Sequence, residues 1–250
     1  MWKSSGDRAT ELLVPRRSGY NRCSMANRAY LRVWTRDFTE STLIAQFARF
    51  LATAPLSASQ PTFTELTVQP IDATETPVAS WDLRPLKYGA AEVAALAIQH
   101  LNFDSAYQVA GKWDLWDLEI ASLKWQHKPE PLLLTCNGLD YDGGIAATDG
   151  NFVVDLGFEH FFTGHAGLLA PGAASNPFES SDDPTEHTFR RWMSSGGNLK
   201  EYHARTRENI QQLFAWMESI ERALPVERSA LWSEGEENFE ARLDAILGQH

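Results

Sequence analysis

The chain has 250 residues, 43% of them hydrophobic, with nine Trp and thirteen Phe, enough apolar material for a well-buried core in one large domain or two small ones. Its formal net charge of −11 argues against a nucleic-acid footprint, which needs a basic face to displace counterions from phosphates, and against attraction to an anionic membrane surface. Only two cysteines occur, Cys23 and Cys136, so there is no disulfide framework or paired metal knuckle; the expected compartment is a reducing cytoplasm, and no apolar run approaches the ~20 residues that span a bilayer.

Residues 1–24 hold five basic side chains (Lys3, Arg8, Arg16, Arg17, Arg22) against two acids, Asp7 and Glu11. They lack both hydrophobic periodicity and the apolar stretch of a secretory signal, and read as a basic disordered arm, with Met25 as an alternative start. Residues 25–184 are expected to form an α+β core domain, and residues 185–250 a helical region packed on the same domain.

Ala29 to Arg36 alternates as a strand, with Tyr30, Arg32 and Trp34 on one face and Leu31 and Val33 on the other. Asp37 to Glu40 fits a capping box, and Leu43, Ile44, Phe47, Phe50 and Leu51 recur at helical spacing until Pro55. Phe63 to Val68 and Val78 to Leu83 read as two short strands, and Tyr88 to Leu101 as an Ala-rich helix with Val93, Leu96, Ala97 and Leu101 on one face. Phe103 to Ile120 is one or two strands, in which a bulge within WDLWDL would shift the buried face from Trp113 and Leu115 to Trp116, Leu118 and Ile120. Pro131 to Cys136 is a short apolar run before the turn signals Asn137-Gly138 and Asp142-Gly143-Gly144, and Phe152, Val154, Leu156 and Phe158 alternate as a final strand. The fold class is therefore α+β with a mixed or mainly antiparallel sheet. The order β-α-β-β-α-β is that of a ferredoxin-like sandwich with added hairpins.

After a loop over 170–184 the chain turns helical. Phe189, Trp192 and Met193 begin it, Ser194 to Gly197 interrupt it, and Asn198 can cap a long helix whose stripe runs Leu199, Tyr202, Thr206, Ile210, Leu213, Phe214, Met217, Ile220 and Leu224 before Pro225. A last short helix covers Glu236 to Leu247. Asp182, Asp183 and Glu186 would charge the start of the Phe189 helix against its macrodipole.

No phosphate loop, dinucleotide fingerprint, nucleophile elbow, HExxH or CxxC is present, which weighs against most nucleotide-dependent classes and against an enzyme. The richest chemistry lies between Asn151 and Leu169, where Asp155, Glu159, His160 and His165 are the candidate metal or acid/base residues, with Zn or Mn as the only cofactors the donor types suggest. In an extended strand Asp155 and Glu159 share a face that His160 does not, so convergence needs the strand to end near Glu159 and Thr163-Gly164 to fold His165 back. The plain alternative is a strand edge with solvated acids and two loop histidines. Asp140-Tyr-Asp142 departs from a calcium loop at Gly144 and Asn151, and Cys136 reads as a packed core thiol rather than a nucleophile. Trp113, Trp116, Trp125, Trp192 and Trp216 are candidates for a pocket or interface, with core packing as the competing role; Trp232 joins the interface candidates. The expectation from these readings is a non-enzymatic protein-binding domain of immunity or adaptor type whose acidic surface meets a basic protein partner, with no nucleic acid and no membrane. The alternative is a metal-assisted hydrolase built on the Asp155 to His165 segment.

Overall fold

A computed structural model describes residues 27–165 and 184–248; the basic arm of residues 1–24, Met25, Asp182, Asp183 and most of the 170–184 loop lie outside the described residues. Seven strands form one antiparallel sheet in the order β3-β2-β4-β5-β6-β1-β7. In chain order, among the described residues, these are β1 (Arg28–Thr35), α1 (Leu43–Ala52), β2 (Glu65–Pro70), β3 (Ala79–Asp82), α2 (Ala90–Ala97), β4 (Ser105–Glu119), β5 (Lys124–Asn137), α3 (Ala146–Asp149), β6 (Phe152–Phe158), α4 (His160–Thr163), α5 (Pro184–Met193), α6 (Gly196–Ala223), β7 (Val226–Ser233) and α7 (Phe239–Leu247).

Period-2 alternation sorts each strand into a core face and an outer face. Leu31 and Val33 of β1, Val154 and Leu156 of β6 and Leu132 and Leu134 of β5 are buried, while Tyr30, Arg32, Val153, Asp155, Leu133 and Thr135 between them are only half-buried. The core face packs with Phe47 and Phe50 of α1, Val93 of α2, Leu213, Trp216 and Ile220 of α6, and Leu243 of α7 in one hydrophobic cluster. Phe50 stacks on Phe152 with centroids 4.5 Å apart and ring planes 24° from parallel, a contact that adds to area burial.

The sheet order departs from a ferredoxin-like sandwich, although the order of elements along the chain is shared. Every ladder is antiparallel, and β5 and β6 separate β1 from β4. The physical reason is the β4–β5 hairpin, whose register runs unbroken from Ala106↔Asn137 to Glu119↔Lys124. So long a local pairing occupies the centre and leaves β1 to pair outside it. β7 starts directly after Pro225, where the helical period ends. Its residues pair with β1 from Val226↔Thr35 to Ser233↔Ala29, and the alternation is masked because it forms an edge on which Glu227, Arg228 and Trp232 are exposed.

Three local expectations change. The capping box at Asp37 to Glu40 does not form; α1 starts at Leu43 after Thr42, whose hydroxyl accepts from Thr39 N–H at 2.9 Å. Asn198 does not cap the long helix, which begins two residues earlier at Gly196 after an extended Ser195, and its amide instead donates to Trp192 O at 2.8 Å. The turn signals after Asn137 open not a tight hairpin but a connector holding α3, so β5 and β6 pair only from Leu133↔Asp155 to Cys136↔Phe152.

Beyond Ala110 on one side and Leu133 on the other, β4 and β5 continue as a two-stranded ribbon, the arrangement in which strand twist is greatest. Burial switches from Trp113 and Leu115 to Leu118 along this ribbon, without a bulge in its register. The edge that β2 leaves on β4 is met at Lys112 by Ser57 N–H, which donates to Lys112 O at 2.7 Å, and at Trp116 by a side chain. Asn209 of α6, 1% exposed, accepts from Trp116 N–H at 2.9 Å and donates to Trp116 O at 2.8 Å and to Phe161 O at 2.9 Å. One amide thus satisfies backbone groups of the ribbon and of α4 together. Among the described residues no helix is long and apolar enough to cross a membrane.

Candidate functional site

The strand β6 ends where it must for its histidines to meet. Between β1 and β6 the register shifts at Ala29/Tyr30, opposite Gly157 and Asp155, so β6 carries an extra residue, and Gly157 takes φ 92° there, a conformation that side chains disfavour. Glu159 N–H then bonds Asn27 O at 2.8 Å, and the single turn of α4 closes with Gly164 N–H on His160 O at 3.0 Å. Gly164, at φ 81°, reverses the chain and returns His165 over the turn. The His160 and His165 rings lie 4.4 Å apart.

The acids of the same segment go elsewhere. Asp155 accepts from Arg28 Nε at 2.7 Å and from Gly157 N–H at 3.0 Å, and Glu159 accepts from Ser233 Oγ at 2.8 Å and Gly235 N–H at 3.1 Å. The bulge explains the separation, because it turns the backbone between Asp155 and His160, and the N-terminal end of α4 leaves Glu159 facing the end of β7. The carboxylate that does reach the histidines is Asp117 of β4, with Oδ1 3.7 Å from His160 Nε2. One ligand-type atom each from Asp117, His160 and His165 falls within 4.8 Å of the others. Alternation places Asp117 two residues beyond Leu115 on the face that holds Trp113, and an acid at that position of an apolar face was the signal available in the sequence.

Each member is oriented by a neighbour. Tyr202 of α6, 1% exposed, has its hydroxyl 2.6 Å from both the backbone nitrogen and Nδ1 of His165. His160 packs between Phe158 and Phe161, at 5.6 and 4.5 Å, and Phe189 of α5 lies 5.8 Å from His165. Lys128 of β5 bonds Asp117 Oδ2 at 3.0 Å and Glu130 Oε1 at 3.2 Å.

This surrounding sets protonation. Burial depresses His165 to about 4, with His160 acting the same way and Asp117 opposing, so the ring is neutral near pH 7. Burial alone would raise Asp117, but His160 and Lys128 outweigh it and hold the carboxyl down at about 2. Burial pushes the Tyr202 phenol well up. The site therefore offers a neutral imidazole and an ionised carboxylate, the forms in which both act as metal ligands.

The tryptophans divide between core and site. Trp113 is fully buried and lies 5.8 Å from Trp216, which is 3% exposed and donates to Thr53 Oγ1 at 3.1 Å; both are core residues, because α6 turns Trp216 inward onto β4. Trp125 packs on Tyr202 at 5.3 Å, and Trp192 stacks on Phe189 at 6.4 Å, so both border the histidine cluster through one intervening ring. Trp116 lies against His127 at 4.8 Å and under the Arg205 guanidinium at 3.7 Å. Trp232, 41% exposed, stacks on Tyr30 at 5.0 Å. Cys136 is fully buried, and burial raises its thiol well above the ordinary range. Comparison of the chain with protein-family models, curated proteins and solved structures finds no match.

Proposed function

We propose that the protein binds a divalent transition metal through Asp117, His160 and His165 and uses it in metal-assisted hydrolysis. The observation that carries this reading is the approach of three donor atoms to within 4.8 Å from two separate parts of the chain, a strand of the ribbon and the turn after β6. Ligands of a tetrahedral zinc at about 2.0–2.1 Å stand about 3.4 Å apart, so a side-chain adjustment of about an ångström closes the set. Two imidazoles and one carboxylate suit Zn or Mn. An ion held by Asp117, His160 and His165 would supply Lewis-acid activation of water. The supporting groups fit as well. Tyr202 engages the second nitrogen of His165 and Lys128 the second oxygen of Asp117, the outer partners that orient metal ligands.

Titration of the full chain with zinc and with manganese, followed by calorimetry and by elemental analysis after desalting, tests the assignment. One ion per chain is expected in the wild type, with loss of binding in Asp117→Asn, His160→Asn and His165→Asn, and a melting temperature that rises on loading because binding energy adds to folding energy. Absence of stoichiometric metal, with melting unaffected by chelator, refutes it.

A second reading, a binding domain for a basic protein, is favoured by the exposed Trp232 on edge strand β7, with the exposed Glu234 two residues further along the chain. Aromatic side chains of this kind are enriched at protein interfaces. A negative metal titration would put this reading in front.

A further inference from the structure

We infer that the Asp117, His160 and His165 centre takes a small oxyanion, the phosphate or carboxylate group of a substrate, bridged between the bound ion and the Lys128 ammonium. The inference rests on the metal reading above and adds the substrate class. Its basis is the division of the Asp117 carboxylate. Oδ1 faces His160 at 3.7 Å, while Oδ2 is held by Lys128 Nζ at 3.0 Å. An ion seated among Oδ1 and the two imidazoles and the ammonium on Oδ2 therefore flank one carboxylate, close enough for two oxygens of a single anion to reach both.

Exposure supports the same arrangement. The Lys128 side chain is 41% exposed, whereas its two carboxylate partners, Asp117 and Glu130, are 16% and 13% exposed. The acids form the floor, and the ammonium stands on the solvent side, where a ligand arrives. Charge balance points the same way. Asp117, Glu130 and Lys128 bring two carboxylates and one ammonium, a net negative charge that attracts a divalent cation, and loading reverses the sign, so that the occupied centre is completed by an anion. The aromatic rings of Phe158 and Phe161 beside His160, and of Phe189 beside His165, lower the local polarity and strengthen an ion–anion contact over its value in water. Lys128 here is a substrate-binding residue; Glu130, which touches only the ammonium, is a positioning residue.

The test uses the full chain loaded with one equivalent of Co²⁺ and desalted, titrated with inorganic phosphate and, separately, with acetate, while the visible cobalt spectrum and the heat of binding are followed. Wild-type protein should bind one of the two anions with a change in the cobalt bands, and the arm that responds identifies phosphate or carboxylate as the preferred group. Lys128→Gln, compared with wild type at equal cobalt occupancy read from the cobalt bands, should bind the anion about tenfold or more weakly, as loss of a charge-assisted hydrogen bond implies. Lys128→Arg should stay within a few-fold of wild type. Equal anion affinity in wild type and Lys128→Gln, both holding cobalt, overturns the inference while leaving the metal centre intact. Anion binding of the same strength in metal-free protein overturns it too. Failure of the wild type to hold cobalt overturns the centre itself, and is told apart from the other outcomes by the absent cobalt bands.

Discussion

Replacing Asn209 with alanine is expected to cost about 3–5 kcal/mol, far more than a polar helix residue usually contributes. The side chain is 1% exposed and makes three hydrogen bonds of 2.8–2.9 Å, two to Trp116 and one to Phe161. Each such bond is worth about 0.5–1.5 kcal/mol net, and a buried backbone group left without a partner costs about 1–3 kcal/mol. Three orphaned groups, offset by water reaching some of them, give the range stated. Asn209→Asp should rescue little, because it keeps the acceptor for Trp116 N–H but removes both donors and buries a charge. Urea unfolding followed by tryptophan fluorescence measures the loss as a shift in midpoint at constant slope. The same substitution should weaken the metal binding proposed for the centre, since Trp116 and Phe161 adjoin Asp117 and His160 in the chain. A loss below about 1 kcal/mol in Asn209→Ala would refute the claim that this amide closes the edge of β4 at Trp116.

On the same helix Leu213→Ala should cost about 2–5 kcal/mol, since Leu213 is fully buried, whereas the exposed Gln211→Ala should lie within about 0.5 kcal/mol of neutral; similar midpoints for the two would show that α6 does not pack on the sheet. Acid should destabilise the metal-free protein through His165. Its folded value of about 4 lies below the ordinary 6.5, so the unfolded chain takes up the proton first, and the ring's contribution is complete above pH 6.5 and is lost as pH falls toward 4. The shift corresponds to about 3 kcal/mol. His165→Asn should flatten the stability–pH profile across that window, and a profile unchanged by the substitution would show that the ring is not desolvated.

Strands and helices whose one face is buried were legible because burial imposes a period. Leu31 and Val33, Phe47 and Phe50, and Leu213 and Ile220 lie on the core side as their spacing requires. β7 was not legible, because an edge strand with exposed Glu227, Arg228 and Trp232 carries no clean alternation, and its pairing is decided by β1, almost two hundred residues away in the chain. In the candidate site, the nearness of His160 and His165 depended on local features, the end of β6 and the glycine at 164. The third member, Asp117, and the supporting Lys128 and Tyr202 depend on tertiary packing of the ribbon and α6. The role of Asn209 is hidden in the sequence for a related reason. As an amide on the buried stripe of a helix it reads as an interruption, and only the unpaired edge of β4 gives it a purpose.

The desolvation that lowers His165 and the contacts that hold Asp117 ionised have a common origin in the packing of α6 beneath the ribbon. Tyr202, Trp125 and Phe189 exclude water from one side of the histidine pair, which disfavours protonation of the ring. His160 and, from the solvent side, Lys128 keep the nearby carboxylate ionised despite burial. A purely structural ion pair between Asp117 and His160 would gain from a protonated neighbour at His165 being absent, but it would not require that ring to stand 4.4 Å away with its Nδ1 held by a buried phenol. The fixed orientation of a neutral imidazole toward an ionised carboxylate and a second imidazole costs the fold polar burial without adding a pair to it. Binding of a cation at this point would recover that cost, which is why the strongest stabilisation of this protein is expected from a divalent ion rather than from any substitution in its core.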